Sequence, residues 1–365
     1  VVMAADRRGV IYEGAYGSAE HGTARAMGLD TIFRIASMTK AVTAVALMQQ
    51  VEAGKISLDD RADKFLPELG KVQRLAEFDP VTNAHRLVPL GTPITIRHLA
   101  THTAGFGYPF TSAALRDFKP REGETPAVAP VLFEPGTGWL YGTNIDHLGR
   151  IVEGLSGLTL EEYFQRRIFR PLAMKDTSYN IAADKLPRLA ALHRRGPDGE
   201  IFSLPQNPPS PVTRFNGGGG LYSTAGDYVR FLRMFLNGGE LEGARVLSAA
   251  SVAEMGRNHI GALGVPALKS ARPEQSGDFA FIADGRDKWG VSFQITAESV
   301  PGRRAAGSLS WGGIHNTYFW IDPQRGVAGV ILLQFLPFAD PQALALYETF
   351  ERGIYRVADA SARGP

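Results

Sequence analysis

The helix-forming run that follows Ser37 constrains this chain more than any other part of it. Over residues 38–53, Met38, Ala41, Val42, Ala44, Val45, Ala46, Leu47, Met48, Val51 and Ala53 occupy every face of a helix. A helix apolar all round has to be enclosed, so the chain must build other elements on several sides of it. Lys40 is its only charge before Glu52. The chain has material for this: of its 365 residues 44% are hydrophobic, and the length suggests two or three domains, or one large domain carrying an insertion.

Burial disfavours an ammonium ion and lowers the pKa of a lysine, so Lys40 is expected to act as a base. Ser37 stands one turn earlier on the same face, where its hydroxyl can meet the Lys40 amine. Its place at the helix N-terminus aims free backbone N–H groups at any oxyanion formed there. Ser37-x-x-Lys40 thus reads as a nucleophile with its base. The alternative is an N-cap serine followed by a lysine that snorkels to solvent.

Two further segments suit that chemistry. Tyr141 follows the turn Glu134-Pro135-Gly136 and is expected at a helix start, where a phenol beside a cation can shuttle a proton between serine and leaving group. A core tyrosine with a satisfied hydroxyl is the alternative. In Ser310-Trp311-Gly312-Gly313-Ile314, two glycines weaken a strand unless something approaches its backbone closely. A substrate acyl oxygen held by the Ile314 and Ser37 amides would be such a group, and a β-bulge is the alternative.

The chain begins and ends in β-branched and aromatic runs bounded by turn residues. Strands are expected at 1–5, 9–16, 289–295, near 308–311, 317–321 and 327–335, with a last helix over 341–358. Strands from both ends suggest one antiparallel sheet. Helices are expected at 37–53, 95–101, 141–155, 160–168 and 224–236, and long loops at 80–93 and 195–220. The expected organisation is an α+β domain in two parts, 1–55 and 223–365, around a mostly helical insertion at 56–222.

Composition removes several classes of function. With no cysteine there is no disulfide, Cys-ligated zinc, iron–sulfur cluster or thiol nucleophile. Lys and Arg total 39 against 37 Asp and Glu, interspersed, which argues against a nucleic-acid footprint. No apolar run is long enough for a membrane-spanning helix. The chain opens Val-Val-Met-Ala-Ala without an initiator Met, which reads as a processed or trimmed start, and the lack of a visible signal peptide weakly favours a cytoplasmic location.

The order Ser37-x-x-Lys40, Tyr141, Trp311-Gly312-Gly313 resembles the serine β-lactamase and penicillin-binding protein superfamily, most closely the class C β-lactamase-like esterases of carboxylesterase family VIII. The resemblance covers nearly the whole chain and includes Phe33-Arg34-Ile35-Ala36-Ser37-Met38-Thr39-Lys40, Ile96-Arg97-His98-Leu99-Ala100-Thr101-His102-Thr103-Ala104-Gly105 and Gly218-Gly219-Gly220-Leu221-Tyr222-Ser223-Thr224. It implies an antiparallel sheet flanked by helices, with Ser37 acylated and Lys40 and Tyr141 sharing the base and acid work. It further implies an oxyanion hole from Ser37 and Ile314, and no cofactor or metal. Two departures stand out. Thr143 holds the place of the lactamase Asn, with Asn144 one residue later, and Trp311 replaces the lysine that opens the strand motif.

Indole offers an apolar wall with a single donor, which suits a neutral ester better than a carboxylate-bearing lactam or D-peptide. Arg303 or Arg304 could restore the missing charge. A small-molecule ester is therefore the expected substrate, with acyl transfer, D-peptide or amide hydrolysis and weak β-lactam hydrolysis as rivals at the same site. A binding protein without turnover is the rival from outside enzymology. Trp311, Gly312, Gly313, Asn144, Phe106 and His315 are expected around the substrate, with Tyr108, Phe110 and Trp139 as further pocket aromatics.

Other signals carry less. His98-x-x-x-His102 has the spacing of a zinc pair, but Leu99 stands where the metalloprotease glutamate belongs, so a structural turn is preferred. Gly217–Gly220 lacks the residues of a phosphate loop and reads as close packing beside the site. Gly-x-Ser-x-Gly is absent, which excludes the α/β-hydrolase kind of esterase.

Overall fold

The computed structural model describes residues 1–122, 124, 128–205, 209–280 and 285–362. The first two strands, β1 (Val2–Asp6) and β2 (Val10–Gly14), form a hairpin whose turn is held by Asp6, which accepts from the amides of Arg8 and Gly9. From the other end of the chain come β3 (Lys288–Trp289), β4 (Gln294–Ile295), β5 (Leu309–Gly313), β6 (Thr317–Asp322) and β7 (Val327–Leu332). The seven strands run β3-β4-β5-β6-β7-β1-β2, with every pair antiparallel. The two ends of the chain meet where β1 pairs β7, from Val2 opposite Ile331 to Asp6 opposite Val327.

Strands β5, β6 and β7 are buried along their whole length because helices cover both faces. Side chains alternate across a sheet. Phe319 on one face packs on Tyr228 of α3 (Ala225–Leu236), whereas Trp320 on the other meets Tyr347 and Phe350 of α4 (Pro341–Ala362). Gly329 sits opposite Trp320, and a side chain there would collide with the indole (2.2 Å).

The apolar helix is preceded by a 3-10 turn, Ala36–Met38, and runs as α1 from Thr39 to Glu52. Every residue from Thr39 to Met48 is buried, as an all-round apolar helix requires. One flank is packed by α2 (Asn144–Ser156), which starts three residues later than expected, so Tyr141 lies in the turn before it. Thr43 donates to the Gly217 carbonyl (2.7 Å), and a side chain on Gly217 would strike the Ile145 carbonyl (2.6 Å). The glycine run thereby lets a backbone segment pass between α1 and α2.

Four expectations change. The run 289–295 is a hairpin, closed by the Gly290 amide donating to Phe293 O (2.8 Å) with Ser292 at φ +64°. The last strand stops at Leu332, and Phe335–Leu336 pairs instead with His193–Arg195. The expected loop at 80–93 contains a strand, His85–Pro89, paired with Gln73–Phe78. The expected loop at 195–220 contains Ile201–Ser203, paired with His193–Arg195, and its residues 206–208 lie outside the described residues. In each case the partner is far away in sequence or the apolar period is too short to mark a break. Among the described residues no helix is long and apolar enough to cross a membrane.

Candidate active site

Ser37 lies in the 3-10 turn, one residue after Ala36, whose φ of +45° is the left-handed region that side-chain-bearing residues seldom occupy. That kink joins the short strand Phe33–Arg34 to the foot of α1 and is packed against the sheet. The close approach depends on Gly313, where a side chain would lie 2.4 Å from Ile35 O. The sequence suggested a substrate acyl oxygen as the group approaching the strand glycines; at Gly313 the group that approaches is the backbone leading into Ser37.

Lys40 is 1% exposed, and its Nζ donates to Ser37 Oγ (3.1 Å), Tyr108 Oη (3.1 Å) and Gly218 O (2.7 Å). All three ammonium protons thus have acceptors. The same nitrogen stands 4.9 Å from the centre of the Tyr141 ring and 5.3 Å from that of Tyr108. Burial alone would lower its pKa, but Tyr108, Tyr141 and Asp146 together outweigh burial and hold it above the ordinary lysine value. This corrects the expectation of a lowered lysine. A buried amine with three acceptors and an acidic neighbour stays charged, so in this state it is a donor and a counter-charge.

Tyr141 is buried, and its hydroxyl accepts from Trp311 Nε1 (3.1 Å). The indole therefore supplies its one donor to the phenol oxygen, and the two rings lie 4.8 Å apart. Ser37, Tyr141, Trp311, Gly312 and Ile314 line one narrow cleft of about 20 Å³, together with Phe110, Thr111, Leu268, Ser276 and Phe338. Every one of these lining side chains is uncharged. Arg303 and Arg304 do not reach it: both donate to Glu351 of α4, so neither replaces the missing strand lysine. A groove of about 900 Å³ elsewhere, lined by Val2, Tyr12, Ile331, Phe350 and others, contains none of Ser37, Lys40 and Tyr141.

Four expected substrate contacts, Phe106, Asn144, His315 and Gly313, lie outside the lining of the cleft. Phe106 is buried against the His147 ring (4.9 Å), and its backbone carbonyl underlies Gly142. Asn144 is fully buried and donates to His102 Nδ1 (3.0 Å) and Phe106 O (3.2 Å), because one residue further along the turn places its amide on the inner side. His315 follows Ile314 on the hairpin and turns its Nδ1 toward Arg34 O (3.4 Å), with burial lowering its pKa to about 4. Gly313 touches the Ile35 turn and is not part of the lining.

Two neighbours of Lys40 were not singled out as chemical groups. Tyr108 was legible only as a pocket aromatic, yet its hydroxyl is a partner of the ammonium, and burial raises its pKa. Asp146 lies in the first turn of α2, where an acid reads as a partner of the helix dipole. Burial raises its pKa while Lys40 pulls it back. A side chain on Gly218 would meet both Asp146 Oδ1 (2.1 Å) and Lys40 Nζ (3.3 Å).

A seven-stranded antiparallel sheet with flanking helices, and a Ser-x-x-Lys pair at the foot of an enclosed helix, define the serine β-lactamase and penicillin-binding protein class. The family described as Beta-lactamase matches the chain over residues 1–352. The acyltransferase calJ of Penicillium decumbens is 33% identical over 353 residues, spanning 89% of this chain and 81% of that protein. A lovastatin esterase of Penicillium rubens is 32% identical over 384 residues, spanning 98% of this chain and 94% of that protein. Among solved structures, the LovD6 mutant of simvastatin synthase from Aspergillus terreus matches with a TM-score of 0.83 at 28% identity, over 98% of this chain and 90% of that one. The chain belongs to the Beta-lactamase family of serine enzymes.

Proposed function

We propose that the chain is a serine carboxylesterase that hydrolyses small-molecule esters through an acyl-enzyme on Ser37. The observation that carries this reading is the Ser37–Lys40–Tyr141–Trp311 chain of contacts on one uncharged cleft. Ser37 attacks the ester carbonyl. Its proton passes to Tyr141 as general base, with the Lys40 ammonium over the phenol ring and the Trp311 N–H on the phenol oxygen. Tyr141 then gives that proton to the departing alkoxide. The tetrahedral oxyanion is held by the Ser37 and Ile314 amides, and Lys40 remains charged throughout. Water reverses the sequence: Tyr141 takes its proton as it attacks the acyl carbon and returns one to Ser37 Oγ.

The uncharged lining favours neutral esters over lactams and D-peptides, whose carboxylate would find no cationic side chain along the cleft. Acyl transfer is the second reading, supported by relatives named both acyltransferase and esterase at similar identity. The two differ only in whether water or another alcohol reaches the acyl-enzyme. Turnover of p-nitrophenyl butyrate is expected to exceed that of nitrocefin, and equal or faster nitrocefin turnover would overturn the preference. Added butanol separates the remaining pair: butyl butyrate in place of butyrate marks a transferase.

A further inference from the structure

The Thr101-His102-Thr103 segment takes no direct part in the proposed chemistry, yet it is built into the turn that carries Tyr141. His102 lies beyond the short helix Ile96–Ala100 with φ +58°, which turns it away from His98. His98 caps that helix, with its Nδ1 accepting from the Thr95 amide (3.3 Å). The two histidines therefore part company, and the spacing of a metal pair has no counterpart in space.

We propose that His102 is a positioning residue for Tyr141: its carbonyl and its Nδ1 hold the amides on either side of the phenol, its ring backs the phenol ring, and Asn144 fixes the imidazole. The Leu140 amide donates to His102 O (2.9 Å), and the Gly142 amide to His102 Nδ1 (3.4 Å). The His102 and Tyr141 rings are 4.9 Å apart. Asn144 Nδ2 donates to the same Nδ1, and its further bond to Phe106 O settles which end of the amide is the donor. With two donors on Nδ1, the proton belongs on Nε2, which has no hydrogen-bond partner among the described residues and sits in a ring edge-on to Trp289 (5.3 Å, 80°). Burial, then the Lys40 charge, keep the imidazole neutral, so Nδ1 stays an acceptor. Gly142 completes the arrangement, because a side chain there would sit 2.2 Å from Phe106 O. The displaced Asn144 thus acts on the tyrosine turn from behind.

This rests on the catalytic reading of Tyr141, and the test separates the two. Butyl butyrate has a leaving group that needs the phenol's proton, whereas p-nitrophenol leaves without one. His102→Leu is expected to lower kcat/KM on butyl butyrate at least about tenfold more than on p-nitrophenyl butyrate, chiefly through kcat. His102→Asn keeps an acceptor near the Nδ1 position and tolerates positive φ, so it is expected to recover most of that ratio. Asn144→Leu is expected to move the ratio in the same direction as His102→Leu, and it decides the matter should His102→Leu not fold. Equal losses on both esters, or no recovery by His102→Asn, would overturn the positioning role. Ser37→Ala turning over either ester at the wild-type rate would instead remove the catalytic reading itself.

Discussion

Lys40 shows how far a residue's neighbours can reverse the effect of its burial. Desolvation pulls the amine toward neutrality, but three acceptors at hydrogen-bond distance and the nearby Asp146 carboxyl favour the cation. Replacing it exposes that balance. Lys40→Met is expected to lose about a thousandfold or more in ester turnover. It should also melt below wild type, because Asp146 is left buried without its counter-charge. Adding Asp146→Asn should raise the melting temperature above that of the single variant without restoring turnover. A double variant no more stable than Lys40→Met would show that Asp146 and Lys40 are not coupled. At this scale the sequence was informative about identity and poor about state. Ser37, Lys40 and Tyr141 stand out by spacing and by apolar surroundings. The charge on Lys40 depends on Tyr108 and Asp146, which only the fold brings beside it.

Among elements, the turn between Trp139 and α2 depends on close backbone packing, since a side chain on Gly142 would collide with Phe106 O. Its sequence suggested a helix beginning at Tyr141, but α2 begins at Asn144, and the intervening residues are occupied by contacts to the His102 segment. No period in the sequence reports such contacts, which is why Asn144 and Phe106 were misplaced beside the substrate. Two buried histidines flank this turn. His147, on α2, has its pKa lowered by burial to about 4. Its ordinary value is near 6.5, so between these values the unfolded chain binds a proton that the folded chain does not. Stability from this group is therefore complete above about pH 6.5 and falls as the pH drops toward 4, by about 3 kcal/mol for His147 alone. Urea midpoints at stepped pH should show this decline, and His147→Leu should make it shallower, with the buried His315 keeping its own share. An unchanged slope in that variant would assign the acid sensitivity elsewhere.

For the molecule as a whole, the closing feature is the attachment of α4 to the sheet. Arg304 and Glu351 are both fully buried, joined through Nε (2.7 Å) and Nη2 (2.9 Å), with Tyr347 on the same guanidinium and Arg303 on the same carboxylate. Removing one partner of such a pair leaves a buried charge, so Glu351→Gln is expected to cost about 3–5 kcal/mol. The cluster does not line the cleft, so ester turnover well below the melting temperature should be unchanged. A loss of turnover without a loss of stability would contradict that separation. The sheet itself was legible because both ends of the chain carry strong β patterns with clear turn residues. The hairpins at 289–295 and 73–89 were not, since a short turn without Pro, or short strands of mixed polarity such as Gln73–Phe78 and His85–Pro89, leave no periodic trace. The same whole-chain view ties the buried helix to its chemistry: enclosure of α1 is what places one lysine among two phenols and a serine. The most direct test is the intact mass of the protein quenched early in p-nitrophenyl butyrate turnover. Wild type should carry one butyryl group on the peptide containing Ser37, and Ser37→Ala none. An unmodified wild type that still turns over the ester, or an adduct that persists in Ser37→Ala, would contradict an acyl-enzyme at this serine.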